Sequence, residues 1–417
     1  MIGYSVMHPL ENVKITGDWL KHPSLAKLFD ILTDEHGEAM VAGGAVRNSL
    51  MGMPVSDIDI CTNLVPEEVV TRIEKADEKA VPTGIDHGTI TVVLDGSAFE
   101  VTTLREDIET DGRHAVVKFG NNWKADAERR DLTINALYCD RDGNVFDFVD
   151  GYPDILEKQV RFIGNSEQRI REDSLRILRF FRFFAWYGEG RPDAEGLKAC
   201  NANKNLLQTL SAERVWMEIK KLLNAPDPGR SLLWMRTTGI LGITIPETTK
   251  WGIDAIPGLI QLEKQNDWSP DALLRLMGMI RPETDNVLGL SKRLALSNAE
   301  RDRLEHWTNS SPPFIGDDLK AFETHLYKGN RQGLIDAMQL EAVHLYNREE
   351  SAKAEEMLAR IAHARSWKKP EFPISGKDLI GQGLKEGPEM GDILSALEEK
   401  WVKSNFSKTK DDLLGDL

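Results

Sequence analysis

Between residues 38 and 62 the chain changes its hydrophobic period twice. EAMVAGG opens on an apolar run, AVRNSLMGM shifts to a helical spacing, and SDIDICT alternates apolar and polar positions. The outer two read as strands and the middle one as a short helix. Pro66 then stands at the start of PEEVVTRIEKADEKA, where Val70, Ile73 and Ala76 recur at helical spacing. HGTITVVL and AFEVTTLR flank Asp95-Gly96, and NALYCD and VFDFVDG flank RDGN, so two hairpins are expected. From about residue 165 the period is helical almost throughout. NSEQRIREDSLRILRFFRFFAWYG reads as one long amphipathic helix with Ser166 at its N-cap, and LSAERVWMEIKKLLN repeats the device behind Ser211. APDPGR, SPPFIGDD and KKPEFPISGK interrupt the helices that follow. The pattern predicts an α+β chain: a small mixed sheet carrying a few helices, then an all-helical remainder.

Composition narrows the class without naming a chemistry. The 417 residues allow two or three domains, and 41% hydrophobic with 29% charged residues describes an ordinary globular protein. No run approaches the roughly 18 apolar residues that a membrane helix needs. The N-terminus has neither the basic-then-apolar order of a secretory leader nor an Arg-rich transit pattern. Cys61, Cys139 and Cys200 lie far apart with no CxxC, as expected for reduced thiols in a cytoplasmic protein. A net charge of −15 argues against broad nonspecific nucleic-acid binding. RIREDSLRILRFFR and ARSWKK are nonetheless locally basic.

Several residues carry candidate chemistry. On a strand of period two, Asp57 and Asp59 share a face, and two adjacent carboxylates repel unless a cation such as Mg²⁺ lies between them. Gly43 and Gly44 permit close backbone approach just before a helix, and Arg47 follows one turn later, in reach of a phosphate. Glu100 in FEVTTLR offers a third carboxylate, on the face of Thr102. Arg113, His114, Arg129 and Arg130 are candidates to clamp a triphosphate. Asp173, Arg176, Arg179 and Arg182 recur every three residues. One Asp that accepts and one Arg that donates can take cytosine and adenine, which pair an exocyclic amine with a ring-nitrogen acceptor, and reject guanine and uracil. From the residues alone, a surface Asp pair, a tight turn and a solvated basic helix face stay open as well.

Together these segments resemble the class II tRNA nucleotidyltransferases, the CCA-adding enzymes of the polymerase β-like superfamily. The likeness runs from GGAVRN through SDIDICT, HGTITVVL, FEVTTLR, DGRHA, DAERRDLTINAL and DFVDGYPDIL to RIREDSLRILRFFRF and LSAERV, with an echo in ISGKDLIGQGLKEGPEMGDIL. It implies a nucleotidyltransferase head over residues 1–150, a helical neck reading the base over 151–228, and a helical body and tail binding tRNA over 229–417. The metal carboxylates fall on Asp57, Asp59 and Glu100, and the nucleotide-binding Gly and Arg on Gly44 and Arg47 beside Gly43. The triphosphate and ribose motif falls on Arg129, Arg130 and Asp131. The base-reading motif falls on Glu172, Asp173 and Arg176, followed by Arg179 and Arg182. A flexible loop is expected from Arg105 to Phe119, including Asp111, Arg113 and His114. Asn48 stands where the family usually has Asp. The resemblance further implies two Mg²⁺ ions, CTP and ATP as substrates, a tRNA acceptor arm as partner, no membrane, and a monomer or homodimer. It carries no phosphohydrolase domain, since no His-Asp pair of that type occurs downstream. A bacterial poly(A) polymerase, an A-adding enzyme with a separate CC-adding partner, and a non-catalytic RNA-binding protein are the alternatives.

Overall fold

The computed structural model describes residues 8–84, 88–111, 114–250, 252–313, 315–385, 387–415 and 417. The chain divides into two compact units, one closing at Thr244 and the other starting at Ile245. The first unit is α+β and the second is helical, as the hydrophobic periods predict.

The strands of the first unit are β1 (Ala39–Ala42), β2 (Asp59–Thr62), β3 (Lys79–Gly84), β4 (Thr89–Leu94), β5 (Ser97–Thr103), β6 (Arg105–Asp111), β7 (His114–Phe119), β8 (Leu137–Cys139) and β9 (Val145–Asp147). Seven of them form one sheet in the order β3-β4-β5-β2-β1-β8-β9. β2 and β5 run parallel, and the other neighbours in this sheet run antiparallel. Alternation in β4 turns Ile90, Val92 and Leu94 inward, and in β5 it does the same for Phe99 and Val101. Both expected hairpins form. At the β4–β5 tip, Asp95 (φ 48°) and Gly96 (φ 81°) are both left-handed, as a two-residue turn between right-twisted strands demands.

Nine helices of this unit bear on the site: α1 (Pro23–Leu32), α2 (Gly44–Leu50), α3 (Pro66–Lys75), α4 (Trp123–Glu128), α5 (Gly151–Leu156), α6 (Ser166–Glu172), α7 (Leu175–Tyr187), α8 (Ala194–Asn203) and α9 (Ala212–Leu223). α3 begins on Pro66 with Glu67 and Glu68 in its first turn, ends with Arg72 and Lys75, and so opposes its own dipole at both ends. Its Val69 and Ile73 are buried, and the helix packs on β3 and β4. The core beneath the site gathers Met40, Ala42, Cys61, Tyr138 and Phe146 of the sheet with Trp123 and Ala127 of α4. Burying each large side chain of this kind stabilises by about 1.5–3 kcal/mol.

Three expectations are corrected. The single helix predicted from Ser166 is two, α6 and α7, and its N-cap is Asn165, whose side chain accepts from the Gln168 amide. The break falls on Asp173, which is extended (φ −150°, ψ 107°). Its carboxylate accepts from the Leu175 amide at 3.1 Å and is gripped by Arg214 of α9 at 2.9 and 3.1 Å, a tertiary pull that the apolar period does not register. Secondly, β2 starts only at Asp59, so Asp57 lies in the segment before the strand. Thirdly, the stretch expected as a loop, Arg105 to Phe119, has strands β6 and β7 paired antiparallel as a sheet of their own.

In the second unit, helix Arg331–Asn347 packs against Ser351–Ser366 and Ala255–Gln265. Arg275, fully buried, pairs with Glu263 at 2.5 Å. A separate cluster joins Tyr327, Leu379, Leu397, Trp401 and Leu413. No helix among the described residues is long and apolar enough to cross a membrane, and all three cysteines are free and buried.

Candidate active site

The sheet's one parallel pairing creates the acidic half of the site. Register sets Asp59 directly opposite Glu100, on strands joined by backbone hydrogen bonds. Asp57 reaches the same cleft from the preceding segment and accepts from Ser56 Oγ at 3.0 Å. Thr91, Ser97 and His22 also line it. His22, between a 3-10 turn and α1, is a residue that no pattern in the chain points to. Partial burial, then Glu100 and Asp57, push the Asp59 carboxyl above its ordinary range, while Arg130 pulls it back. Among the described residues no three His, Cys, Asp or Glu side chains are arranged as a ready metal cage. The donor set is nevertheless all oxygen and all of one sign, and a hard divalent cation completed by substrate oxygens relieves its repulsion.

The basic half lies next to it. Gly43 has φ +69°, a backbone that side-chain-bearing residues rarely adopt, and opens α2. A Cβ at Gly43 would stand 3.4 Å from Arg130 Nη1, and one at Gly44 would stand 3.7 Å from Arg47 Nη2. The glycine pair therefore lies within contact range of two guanidiniums. Arg130 shares Asp126 with Arg129. Asp126 is wholly buried and accepts from Arg129 Nε (2.8 Å) and Nη2 (2.5 Å), Arg130 Nη2 (3.1 Å) and Tyr138 Oη (2.7 Å). Burial pushes Asp126 up, but Arg130 and Arg129 outweigh it and hold the carboxyl below its usual range. Arg130 Nη2 also donates to Cys61 Sγ, 3.1 Å away and two residues along β2 from Asp59. Neither Asp126 nor Tyr138 stood out in the sequence, because a buried Asp and Tyr look like any others until the fold sets them between arginines.

The neck helices bring the remaining expected residues to this half. Asp131 accepts from Arg179 Nε at 2.5 Å and from the Leu132 amide; these contacts, with Asn135, overcome the upward push of burial on its carboxyl. Arg182 forms an ion pair with buried Glu218 of α9 at 2.8 Å. Glu172 accepts from Arg169 (2.9 Å) and Arg176 (2.7 Å). Asp173 and Arg176 do not pair with one another: Asp173 is held by Arg214, and Arg176 also donates to the Arg169 and Arg129 carbonyls. Arg214 is a further functional candidate that the sequence did not single out. Asn48, the departure from the family pattern, keeps local bonds: its Oδ1 accepts from Arg47 and its Nδ2 donates to the Pro54 carbonyl at 2.8 Å. Arg105 begins β6; Asp111 and His114 face each other across the β6–β7 register, and Arg113 lies outside the described residues.

Comparison with known proteins gives this geometry a class. Residues 39–161 match the model of a Poly A polymerase head domain, and residues 283–416 match tRNA nucleotidyltransferase domain 2. The chain belongs to the CCA tRNA nucleotidyltransferase family. It is 35% identical over 94% of its length to the mitochondrial CCA tRNA nucleotidyltransferase 1 of Mus musculus, covering 88% of that protein. With the Danio rerio counterpart the identity is 34%, over 94% of this chain and 90% of the relative. The structure of the Bacillus stearothermophilus CCA-adding enzyme in complex with CTP superposes with a TM-score of 0.71 and 26% identity, covering 91% of this chain and 92% of that one.

Proposed function

We propose that this chain builds or repairs the 3′-terminal CCA of tRNA, taking CTP and ATP and releasing pyrophosphate. The observation that carries the reading is the Asp59–Glu100 pair set against buried Arg47 and half-buried Arg130, in a chain that aligns nearly end to end with CCA tRNA nucleotidyltransferases. The work divides among a head (1–150), a neck (151–228) and a tRNA-binding body and tail (229–417) that receive the acceptor arm. Asp57, Asp59 and Glu100 would hold two Mg²⁺, which, when bound, neutralise phosphate charge and lower the pKa of an attacking hydroxyl. Arg47 and Arg130 face the triphosphate, and Gly43 lets the backbone come close to it. Arg129 and Asp131 orient the end of α4 against the neck.

Asp173 and Arg176 read the base. Asp173 Oδ1 is filled by Leu175 and Arg214, and Oδ2 takes one bond from Arg214, which leaves an acceptor position on Oδ2 for an exocyclic amine. Arg176 spends Nη1 and half of Nη2 on fixed partners and keeps Nε and one Nη2 hydrogen for a ring nitrogen. Guanine and uracil would set a carbonyl against the carboxylate and N–H against the guanidinium, leaving both unpaired. Three buried thiols support a reducing compartment, and we place the protein in the cytoplasm; the animal relatives are named as mitochondrial.

The test is incubation of tRNA lacking CCA, CC or A with each labelled nucleotide and Mg²⁺, followed by sequencing of the ends. Addition should stop at CCA in all three. The head-domain match favours one second reading, a poly(A) polymerase, and run-on adenylation of arbitrary RNA with ATP alone would establish it instead. Addition of A alone, and only to tRNA ending in CC, would reduce the activity to A-adding.

A further inference from the structure

Among the described residues, five arginines at the basic half of the site have a carboxylate partner and Arg47 has none. Arg129 and Arg130 share Asp126, Arg176 has Glu172, Arg179 has Asp131 and Arg182 has Glu218. Arg47 is only 6% exposed, yet its acceptors among the described residues are all uncharged: Asn48 Oδ1 (3.1 Å from Nε, 2.9 Å from Nη2), Asn135 Oδ1, and Tyr187 Oη (2.8 Å from Nη2). Burial pulls its pKa down, and Tyr187 and the charge of Asp131 offset this only in part, with no ion pair to Arg47 among the described residues. Aromatic faces partly replace the lost water: the guanidinium carbon lies 4.0 Å from the Tyr187 ring centre and 5.3 Å from that of Phe183. A buried cation held by neutral acceptors keeps more of its field for an incoming anion than one paired directly with a carboxylate.

Tyr187 is the last residue of α7, the helix whose first turn carries Arg176. Residues 179, 183 and 187 recur every four positions and so lie on one helix face. Phe183 on that face touches the guanidiniums of Arg47, Arg179 and Arg182. The neck helix thus grips, at its far end, an arginine that belongs to the head. We propose that Tyr187 is a positioning residue for the triphosphate: it holds Arg47 in place without neutralising it, and it ties the phosphate site to the helix that reads the base. The inference rests on the proposed function, and it concerns a side chain to which neither the motif resemblance nor the comparisons give a role.

The full-length protein serves for the test, with Tyr187→Phe keeping the ring and removing only the hydroxyl. Loss of one hydrogen bond to a charged group corresponds to roughly a 10-fold loss of binding. The KM for CTP and for ATP should therefore rise by the same factor, about 10-fold, with kcat within about twofold of wild type. Inorganic tripolyphosphate, titrated calorimetrically, should lose affinity by a matching factor, since it has no base to be read. Unequal losses for CTP and ATP, a fall in kcat at unchanged KM, or unaltered tripolyphosphate binding would each overturn the assignment. A wild-type protein that extends tRNA but does not bind tripolyphosphate also removes it. A wild-type protein that extends no tRNA instead removes the functional reading beneath it.

Discussion

Replacing Asp126 by Asn tests whether the arginine platform depends on one buried charge. Asp126 is fully buried between two guanidiniums and a phenol, and Arg129, Arg130 and Tyr138 all donate to its carboxylate at 2.5–3.3 Å. Asn has the same shape, but it carries no charge and turns one of the two oxygens into an NH₂. Whichever way the amide lies, N–H groups then oppose N–H or O–H groups, and two cations lose their shared counter-charge. Breaking a buried ion pair from one side costs about 3–5 kcal/mol. For a unit of this size each kcal/mol moves the midpoint by about 2–4 °C, so the unfolding temperature should drop by roughly 6–20 °C.

The sign of the pH dependence follows from the direction of the shift. Asp126 lies below its usual range in the folded protein, so its contribution is present above the unfolded carboxylate value of about 3.9 and is lost as pH falls through the folded value. The gap between wild type and variant should be widest near neutrality and should close on acidification. Scanning calorimetry of both proteins from pH 7 downward gives the two quantities. A midpoint change under about 2 °C at neutral pH, or a gap that widens in acid, would refute the reasoning.

Asp59→Asn should abolish nucleotide transfer while leaving the protein folded. It should also raise the unfolding temperature at pH 7, because a carboxyl pushed upward loses stability as pH rises through its range; residual turnover near wild type would remove its role. Asp173→Ala should admit UTP and GTP far more than it weakens metal dependence, and a variant that still excludes both as wild type does would end the base-reading assignment. Gly43→Ala, forced to φ +69° with its Cβ 3.4 Å from Arg130, should cost about 1–3 kcal/mol by denaturant titration and raise the nucleotide KM; wild-type behaviour in both would show the turn to be incidental.

What the sequence discloses depends on how local its cause is. The hairpin tip at Asp95-Gly96, the Pro66 helix start and the inward faces of β4 and β5 are set by neighbours along the chain, and they are readable there. The break at Asp173 is set by Arg214, 41 residues away, while the apolar residues continue across it as if the helix did too. The β6–β7 pairing was hidden because DGRHA reads as a polar turn and REDIETD, the sequence of β6, carries a single apolar residue, Ile108. Of the site, the acidic and basic residues stood out through their spacing. Their fixed partners, Asp126, Tyr138, Glu218 and Arg214, did not, since only folding makes them adjacent.

The parallel β2–β5 pairing has a consequence for chemical interchangeability. Asp59 and Glu100 stand on facing rungs of hydrogen-bonded strands about 4.8 Å apart, so neither backbone can slide to adjust the gap. Reach is then set by side-chain length alone, and the two acids differ by one carbon–carbon bond of about 1.5 Å. Swapping Asp for Glu at either rung changes where the oxygens arrive, not merely which acid supplies them. On this scaffold the two carboxylates are parts cut to different lengths, and their order cannot be exchanged.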